Sequence, residues 1–464
     1  MRSPPHTSAS ARPHNCLARN LGPRFVLQSL LFLSGVAAVA CAPCKNQIAR
    51  ATLGAKAAPV TVAAEAEVRA TRVAHAKLRI EVLLEDSMRF WLTHGRDAEH
   101  GGFHATLNRL GEPIEPSTKG LVQQTRHLWT FSAYYRLNPT ADAARRTVVR
   151  QCAAELFRFI VQHFRDPSDG EFYFRVDRKG NPLDRSKHLY ANSFAIYALA
   201  EYALAFGVAE AKAHALACFS SLDKSSHDAQ FGGYYQTNRP NWLGPGAAKD
   251  TNTHIHLMES LTALYGATKD PLVRQRAEEL LRVVLTKHVQ PSRETHAEFT
   301  RDFSPIGAPT ISYGHDIETA WLLFDSIDTL GLKDRTKLRE QAFQLGLNAA
   351  TQGFDPKLGG FFEEGIPNGA PTKLEKVWWV QAEAIAGLCR LFRYRAEPRL
   401  LEQLEATLDF IETYLRDPNL GEWYWSVLPD GSFGQHRDIK GAEWKSSYHV
   451  VRALLFARNW MNGA

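Results

Sequence analysis

The chain lacks most of the short motifs that announce a chemistry. It has no HExxH pair for zinc, no DxDxDG calcium loop, no GxSxG nucleophile elbow and no GxxxxGK[ST] phosphate loop. Lys and Arg form no run interleaved with aromatics. Of the net charge of +6, four positive charges (Arg2, Arg12, Arg19, Arg24) fall in the first forty residues, which contain no acid. The remainder is close to neutral, so nothing calls for a nucleic-acid partner. Cysteine is scarce: Cys16, Cys41, Cys44, Cys152, Cys218 and Cys389. The Cys41/Cys44 pair has neither a second pair nor a His beside it, which excludes a zinc or redox motif there. Cys152, Cys218 and Cys389 lie in apolar helical contexts and read as buried thiols, so no disulfide framework is expected. Also missing is any alternating apolar/polar strand of useful length.

What is present is a rhythm. Glycine–aromatic turns recur about every 62 to 69 residues: Gly101-Gly102-Phe103, Gly170-Glu171-Phe172, Gly232-Gly233-Tyr234, Gly359-Gly360-Phe361 and Gly421-Glu422-Trp423. Each follows an Asp (Asp97, Asp169, Asp228, Asp355, Asp417), and a degenerate copy is read at Glu298-Phe299-Thr300-Arg301-Asp302. Self-similarity at a fixed period marks a repeat architecture. Between the turns, apolar residues fall at three-and-four spacing, as in Val73, Leu78, Ile80, Leu83, Leu84 and Met88. The spacing predicts twelve helices: 72–94, 118–136, 143–165, 190–206, 208–221, 253–266, 271–288, 315–330, 335–352, 376–393, 397–415 and 443–461. Two helices per unit and six units make an all-α fold, a closed toroid of helical hairpins, with short β-hairpins at the turns. No linker interrupts 68–464, which is therefore one domain.

The first forty residues resemble a secretory leader. A basic start precedes an apolar run from Phe25 to Ala40, too short and too rich in small residues for a good membrane span. Ala38-Val39-Ala40-Cys41 is similar to a bacterial lipobox, with Cys41 as the lipid-bearing residue. The expectation is a leader over 1–40, a flexible tether over 41–67, and an exported, periplasmic or lipid-anchored protein, membrane attachment coming only through Cys41. A cytoplasmic enzyme with an over-long start is the alternative. A monomer or weak dimer is expected.

Polar residues gather where the second helix of each hairpin begins. The patches are Gln123 to Ser132 (with Arg126), Lys187 to Phe194 (with Tyr190 and Asn192), Asn252 to Glu259, Ser312 to Glu318 (with His315), Lys376 to Glu383 (with Trp378 and Trp379), and Glu443 to His449 (with Trp444). In a ring, the same register in each repeat points at the same central cavity. His256 and Glu259 are neighbours three apart on one face, a spacing at which a carboxylate orients an imidazole. His449 sits where it can face His256 across the axis. His315, three before Glu318, is a third candidate, and His254 faces elsewhere. HxH suits a metal better on a strand than on a helix, so no metal or cofactor is expected.

These patches together resemble the N-acylglucosamine 2-epimerase superfamily, and within it the cellobiose 2-epimerases, over about 75 to 464. The resemblance implies an (α/α)6 barrel and reversible inversion at C2 of a reducing-end aldose, with no metal or cofactor. It implies His256 and His449 as the paired catalytic histidines and Glu259 as the carboxylate supporting the first. It implies Arg126 on the sugar oxygens, and Glu318, Trp379 and Trp444 in the pocket; Tyr190, Asn192, His315 and Trp378 are the further expected contacts to a small saccharide. Two positions depart from the pattern: Asn192, near where some cellobiose epimerases carry a His, and Val450-Val451 before Arg452, where Asn-Gly is common. An aldose–ketose isomerase needs the same residues. A glycoside hydrolase would instead use opposed acids such as Glu259 and Glu318, and an exported glycan-binding protein would use the Trp faces without the histidines.

Overall fold

The computed structural model describes residues 62–236, 238–239 and 248–462. The expected leader, Cys41 and most of the tether lie outside the described residues. Twelve helices are present among them: α1 (Val62–His94), α2 (Leu121–Leu137), α3 (Ala143–His163), α4 (Leu189–Phe206), α5 (Ala209–Ser226), α6 (Thr251–Thr268), α7 (Pro271–Val283), α8 (Tyr313–Leu330), α9 (Arg335–Gln352), α10 (Trp378–Tyr394), α11 (Pro398–Phe410) and α12 (Tyr448–Met461). Wider π-turns extend α7 through His288 and α11 through Leu415. The even-numbered helices pack in the closed cycle α2–α4–α6–α8–α10–α12–α2, and the odd-numbered helices pack outside them. This is the (α/α)6 barrel. The inner helices are buried around most of their circumference, which is why α4 reads apolar on every side, whereas α7 and α11 present one apolar face.

α5 runs to Ser226 rather than 221, and two helix starts and one turn also differ from the periodicity. α1 starts at Val62, so the last residues of the expected tether are helical. Strong helix formers (Ala, Glu, Arg) extend it beyond the packed part, and its side chains from Glu65 to Ala70 are exposed. α12 starts at Tyr448, leaving Glu443, Trp444 and Lys445 in the loop before it. The degenerate turn lies earlier than Glu298: the bridge Val289–Thr295 takes the place of Arg96–Phe103, Phe354–Phe361 and Arg416–Trp423 in other units. Glu298–Phe299 is instead a strand paired with Lys249–Asp250.

The repeat has a physical rule. In five units an Asp at the turn start accepts the following backbone N–H groups and is met by a buried Lys from the strand before the inner helix: Asp97–Lys119, Asp166–Lys187, Asp228–Lys249, Asp355–Lys376 and Asp417–Lys440. In the second unit this Asp is therefore Asp166, with Asp169 as an additional partner of Lys187 at 2.9 Å. The glycines Gly101, Gly232, Gly359 and Gly421 have φ of 74–78°, which an L side chain rarely adopts. The fourth unit has Gln290 and Ile311 at the Asp and Lys positions. Two- and three-residue strands tie neighbouring units together at this end, and Leu107–Asn108 pairs with Ile439–Gly441, joining first unit to last.

Candidate active site

Every inner helix begins at the same end of the ring, so its first turns deliver side chains to the axis. One cavity of about 150 Å³ is lined by Arg126, Tyr190, Asn252, His256, His315, Glu318, Trp378, Trp379, Trp444 and His449. α6 and α12 stand three places apart in the cycle of six, so His256 and His449 come from opposite walls.

Asn192 is not among these residues. Its Oδ1 accepts from Phe172 N (2.8 Å) and its Nδ2 donates to Phe172 O (3.1 Å). Gln124 does the same for Phe103, Gln381 for Phe361, and the His254 Nε2 accepts from Tyr234 N at 3.1 Å. Asn192 is thus the second unit's turn clamp, one helical register away from the axis, and its amide is what that bond requires. His254, expected to face elsewhere, has the same clamping job.

Beneath the cavity lies a charged cluster built on Arg452, which is fully buried. Its Nη1 donates to Glu259 Oε1 (2.5 Å) and to the Tyr448 hydroxyl. Its Nη2 donates to Glu383 Oε1 (2.7 Å) and to Glu318. The guanidinium lies over the rings of Tyr448 and Trp321, 4.2 and 4.7 Å from their centres. Glu259 also accepts from His256 Nδ1 at 2.9 Å, and Glu383 from His449 Nδ1 at 2.7 Å. Each ring thereby has Nδ1 fixed by a carboxylate and Nε2 left for other work. Glu383, Tyr448, Trp321 and Arg452 carry this network and were not singled out by the motif reading. Their signal was visible: Arg452 is the lone charge in the otherwise apolar Val450 to Phe456, four residues after Tyr448.

Burial pushes the Glu259 carboxyl up, but Arg452 and the His256 bond outweigh it and bring it down to about 2. Burial leaves Glu383 raised despite Arg452. Burial, with Arg126 and Arg452 nearby, holds His449 well below the usual imidazole range, against the pull of Glu318. The ring is neutral at pH 7, the form a general base needs. Burial likewise lowers His315.

His315 is half-buried, makes no side-chain hydrogen bond among the described residues, and packs 4.8 Å from the Trp379 ring, which is 5.9 Å from His449. Arg126 donates to the Tyr190 hydroxyl (3.0 Å) and to Trp444 O (3.3 Å), standing over the Phe194 ring. Trp444 is 46% exposed at the mouth, free to stack on a sugar face, whereas Trp378 is wedged against Trp425 with ring centres 4.4 Å apart. Glu318, Glu383 and His449 present ligand atoms within 4.8 Å of one another. Arg452 already donates to both carboxylates there, so the place of a cation between them is taken by a guanidinium.

Known proteins agree with this geometry. The sequence model of the N-acylglucosamine 2-epimerase (GlcNAc 2-epimerase) family matches residues 101–453. The chain is 31% identical over 378 residues to a cellobiose 2-epimerase of Bacteroides fragilis, covering 79% of this chain and 94% of the relative. It is 25% identical to a D-mannose isomerase of Marinomonas mediterranea, covering 81% and 95%. The solved cellobiose 2-epimerase of Spirochaeta thermophila superposes with a TM-score of 0.74 at 33% identity, covering 84% and 98%. Six helical hairpins, three histidines around one cavity and these likenesses converge: the chain belongs to the N-acylglucosamine 2-epimerase family and is a sugar 2-epimerase.

Proposed function

We propose that the protein inverts C2 of the reducing-end aldose of a β-1,4-disaccharide such as cellobiose, through an enediolate, using two histidines as acid and base. The observation that carries this reading is the convergence of imidazoles from separate walls on one cavity that also presents Arg126. The C2 proton of an open-chain aldose is α to the aldehyde. A neutral imidazole Nε2 removes it, leaving an enediolate whose oxygen charge Arg126 stabilises. A second ring on the other face, carrying a proton on Nε2 as imidazolium, gives it to C2 and inverts it. Each positioned group contributes on the order of 10²–10⁴ in rate. Glu383 and Glu259 hold His449 and His256 in the needed tautomer, and Trp444 and Trp379 stack on sugar rings. Return of the proton to C1 would instead give a ketose.

We give one role to His449 and the other to His256, a reading supported by their places on opposite walls of the ring. A second reading gives that place to His315, on a specific observation: its ring lines the cavity and makes no side-chain hydrogen bond among the described residues, so both of its nitrogens are open to a sugar. Proton NMR of cellobiose in D2O tests both. The protein should convert cellobiose to a mannose-type reducing end with deuterium at C2. His449→Asn and the Asn variant of the true partner should each slow this about 10²–10⁴-fold. Free glucose as the product, or undiminished exchange in all three variants, would overturn the mechanism.

A further inference from the structure

Trp444 reaches the cavity from a loop, whereas the other residues around it stand at the starts of the inner helices. Something other than a helix must therefore hold its indole in place. The loop runs from the strand Ile439–Gly441 to α12 and turns tightly. Ala442 N donates to Lys445 O and Lys445 N to Ala442 O, both at 3.0 Å. Glu443 and Trp444 are the two residues at the tip of this turn, so the placement of one side chain constrains the other.

The stem of the turn is fastened inside the barrel. The buried Lys445 ammonium donates to Glu422 Oε1 (3.2 Å) and to Lys440 O (3.1 Å). Glu422 also accepts from the Trp91 indole N–H at 3.0 Å, which carries the anchor to α1. Gln123 Nε2 donates to Ala442 O (2.9 Å), and Arg126 Nη1 to Trp444 O (3.3 Å). These bonds fix stem and backbone; none of them touches the Trp444 indole.

At the tip itself there is an ion pair. Glu443 Oε1 accepts from Arg175 Nη2 at 2.7 Å. Arg175 lies on the strand Arg175–Asp177 of the second unit, opposite Gly120, the residue before α2. Gly120 makes room for the pair: a Cβ there would stand 3.0 Å from Glu443 Oε1 and 3.3 Å from its Cγ, tighter than ordinary van der Waals contact. The Arg175 and Glu443 side chains are 33% and 31% exposed, and neither lines the cavity. A pair that stays off the sugar, joined to the neighbour of a residue that faces it, is placed to act through that residue.

We propose that the Arg175–Glu443 ion pair is a latch that sets Trp444 over the cavity, with Arg175 and Glu443 as positioning residues for substrate binding. The inference rests on the reading above that Trp444 stacks on the sugar. Stacking serves bound sugar and transition state alike, so loosening the indole weakens binding without slowing the chemistry. The pair is partly exposed, so salt screens it.

The test is C2-proton exchange of cellobiose in D2O by the full chain, read as KM and kcat. Arg175→Met should raise KM about two- to fivefold, the range open to a partly exposed pair, and leave kcat within about twofold. Trp444→Ala should raise KM at least as much, and Arg175→Met should add nothing on the Trp444→Ala background. The exchanged pair Arg175→Glu with Glu443→Arg should bring KM back towards that of the unsubstituted chain. Raised salt should increase KM in the unsubstituted chain and not in Arg175→Met. A KM unchanged in Arg175→Met beside a raised KM in Trp444→Ala overturns the latch alone. So does an Arg175→Met effect that persists undiminished on the Trp444→Ala background. An unchanged KM in Trp444→Ala overturns the stacking reading and the latch with it. Absence of exchange by the unsubstituted chain overturns the cellobiose reading and the latch together.

Discussion

The molecule buries charge in two ways, at the turns of the rim and at the axis. At three of the turns the Asp that starts the turn is met by two cations. Asp97 is met by Lys119 and Arg178, Asp228 by Lys249 and Arg301, and Asp417 by Lys440 and Arg109. Burial alone would raise these carboxyls, yet Asp97 and Asp228 are held far below the usual range and Asp417 at about 2. At the axis the balance is reversed. One guanidinium, Arg452, serves Glu259, Glu318 and Glu383, and burial leaves Glu383 raised and His449 lowered. The lesson is that matched buried pairs hold shape, whereas an acid-rich cluster beside neutral imidazoles leaves protons able to move. Chemistry sits where the charge is left unbalanced.

Removing the one cation bonded to all three axial glutamates should have the largest effect. Arg452→Met leaves three buried carboxylates without their common partner and should cost about 5 kcal/mol in denaturant unfolding. It should also abolish C2 exchange in whatever fraction folds, because Glu259 and Glu383 no longer hold their histidines. A folded, active Arg452→Met would show the cluster to be ornamental.

The rim should respond in stability alone. Lys376→Met strands Asp355 beside Gly359 and should cost about 3 kcal/mol. The exchange rate per folded molecule should stay within about twofold of the unsubstituted chain. A large fall in kcat with little loss of stability would mean that turns and axis are not separate systems.

The smallest effect is expected where the two kinds of region meet. Asp316 stands at the clamp position that Gln124, Asn192 and Gln381 fill with amides. Burial raises its carboxyl from 3.8 to about 7, against the Thr295 bonds. The folded state keeps this proton longer than the unfolded chain does. The associated stability is full below about pH 4 and is lost as pH rises through 7. Asp316→Asn should therefore stabilise the protein at pH 8 by at least about 1 kcal/mol, one unit's worth of that shift, and change little at pH 4. Thermal unfolding at the two pH values measures this. Equal shifts at both would assign the effect to packing.

Much of this was legible in the chain. The glycine–aromatic period and the apolar spacing were enough for twelve helices in six hairpins, because both report strictly local geometry. The patches at the inner-helix starts named the cavity residues, since a ring repeats one register at one place. Two readings failed, and one feature was missed, for reasons outside any local pattern. Asn192 lies in a polar patch like its neighbours, but it stands two residues from Tyr190, on the opposite face of the helix, where it clamps a turn 20 positions earlier. The degenerate turn was read at Glu298 because Phe and Asp recur there by chance, while the chain reverses at Gln290 to Thr295. The Asp–Lys pairs escaped because their members lie about 20 residues apart and meet only when strand and turn stack.

The sequence by itself determined the helices, the number of units and the set of side chains at the mouth, since period and spacing are properties of the chain. Only the tertiary structure decided that Arg452 binds three glutamates from three different helices and that His449 is neutral. Each of these depends on what closing the ring brings within hydrogen-bond reach and removes from water, and burial and charge pairing are properties of the assembled barrel.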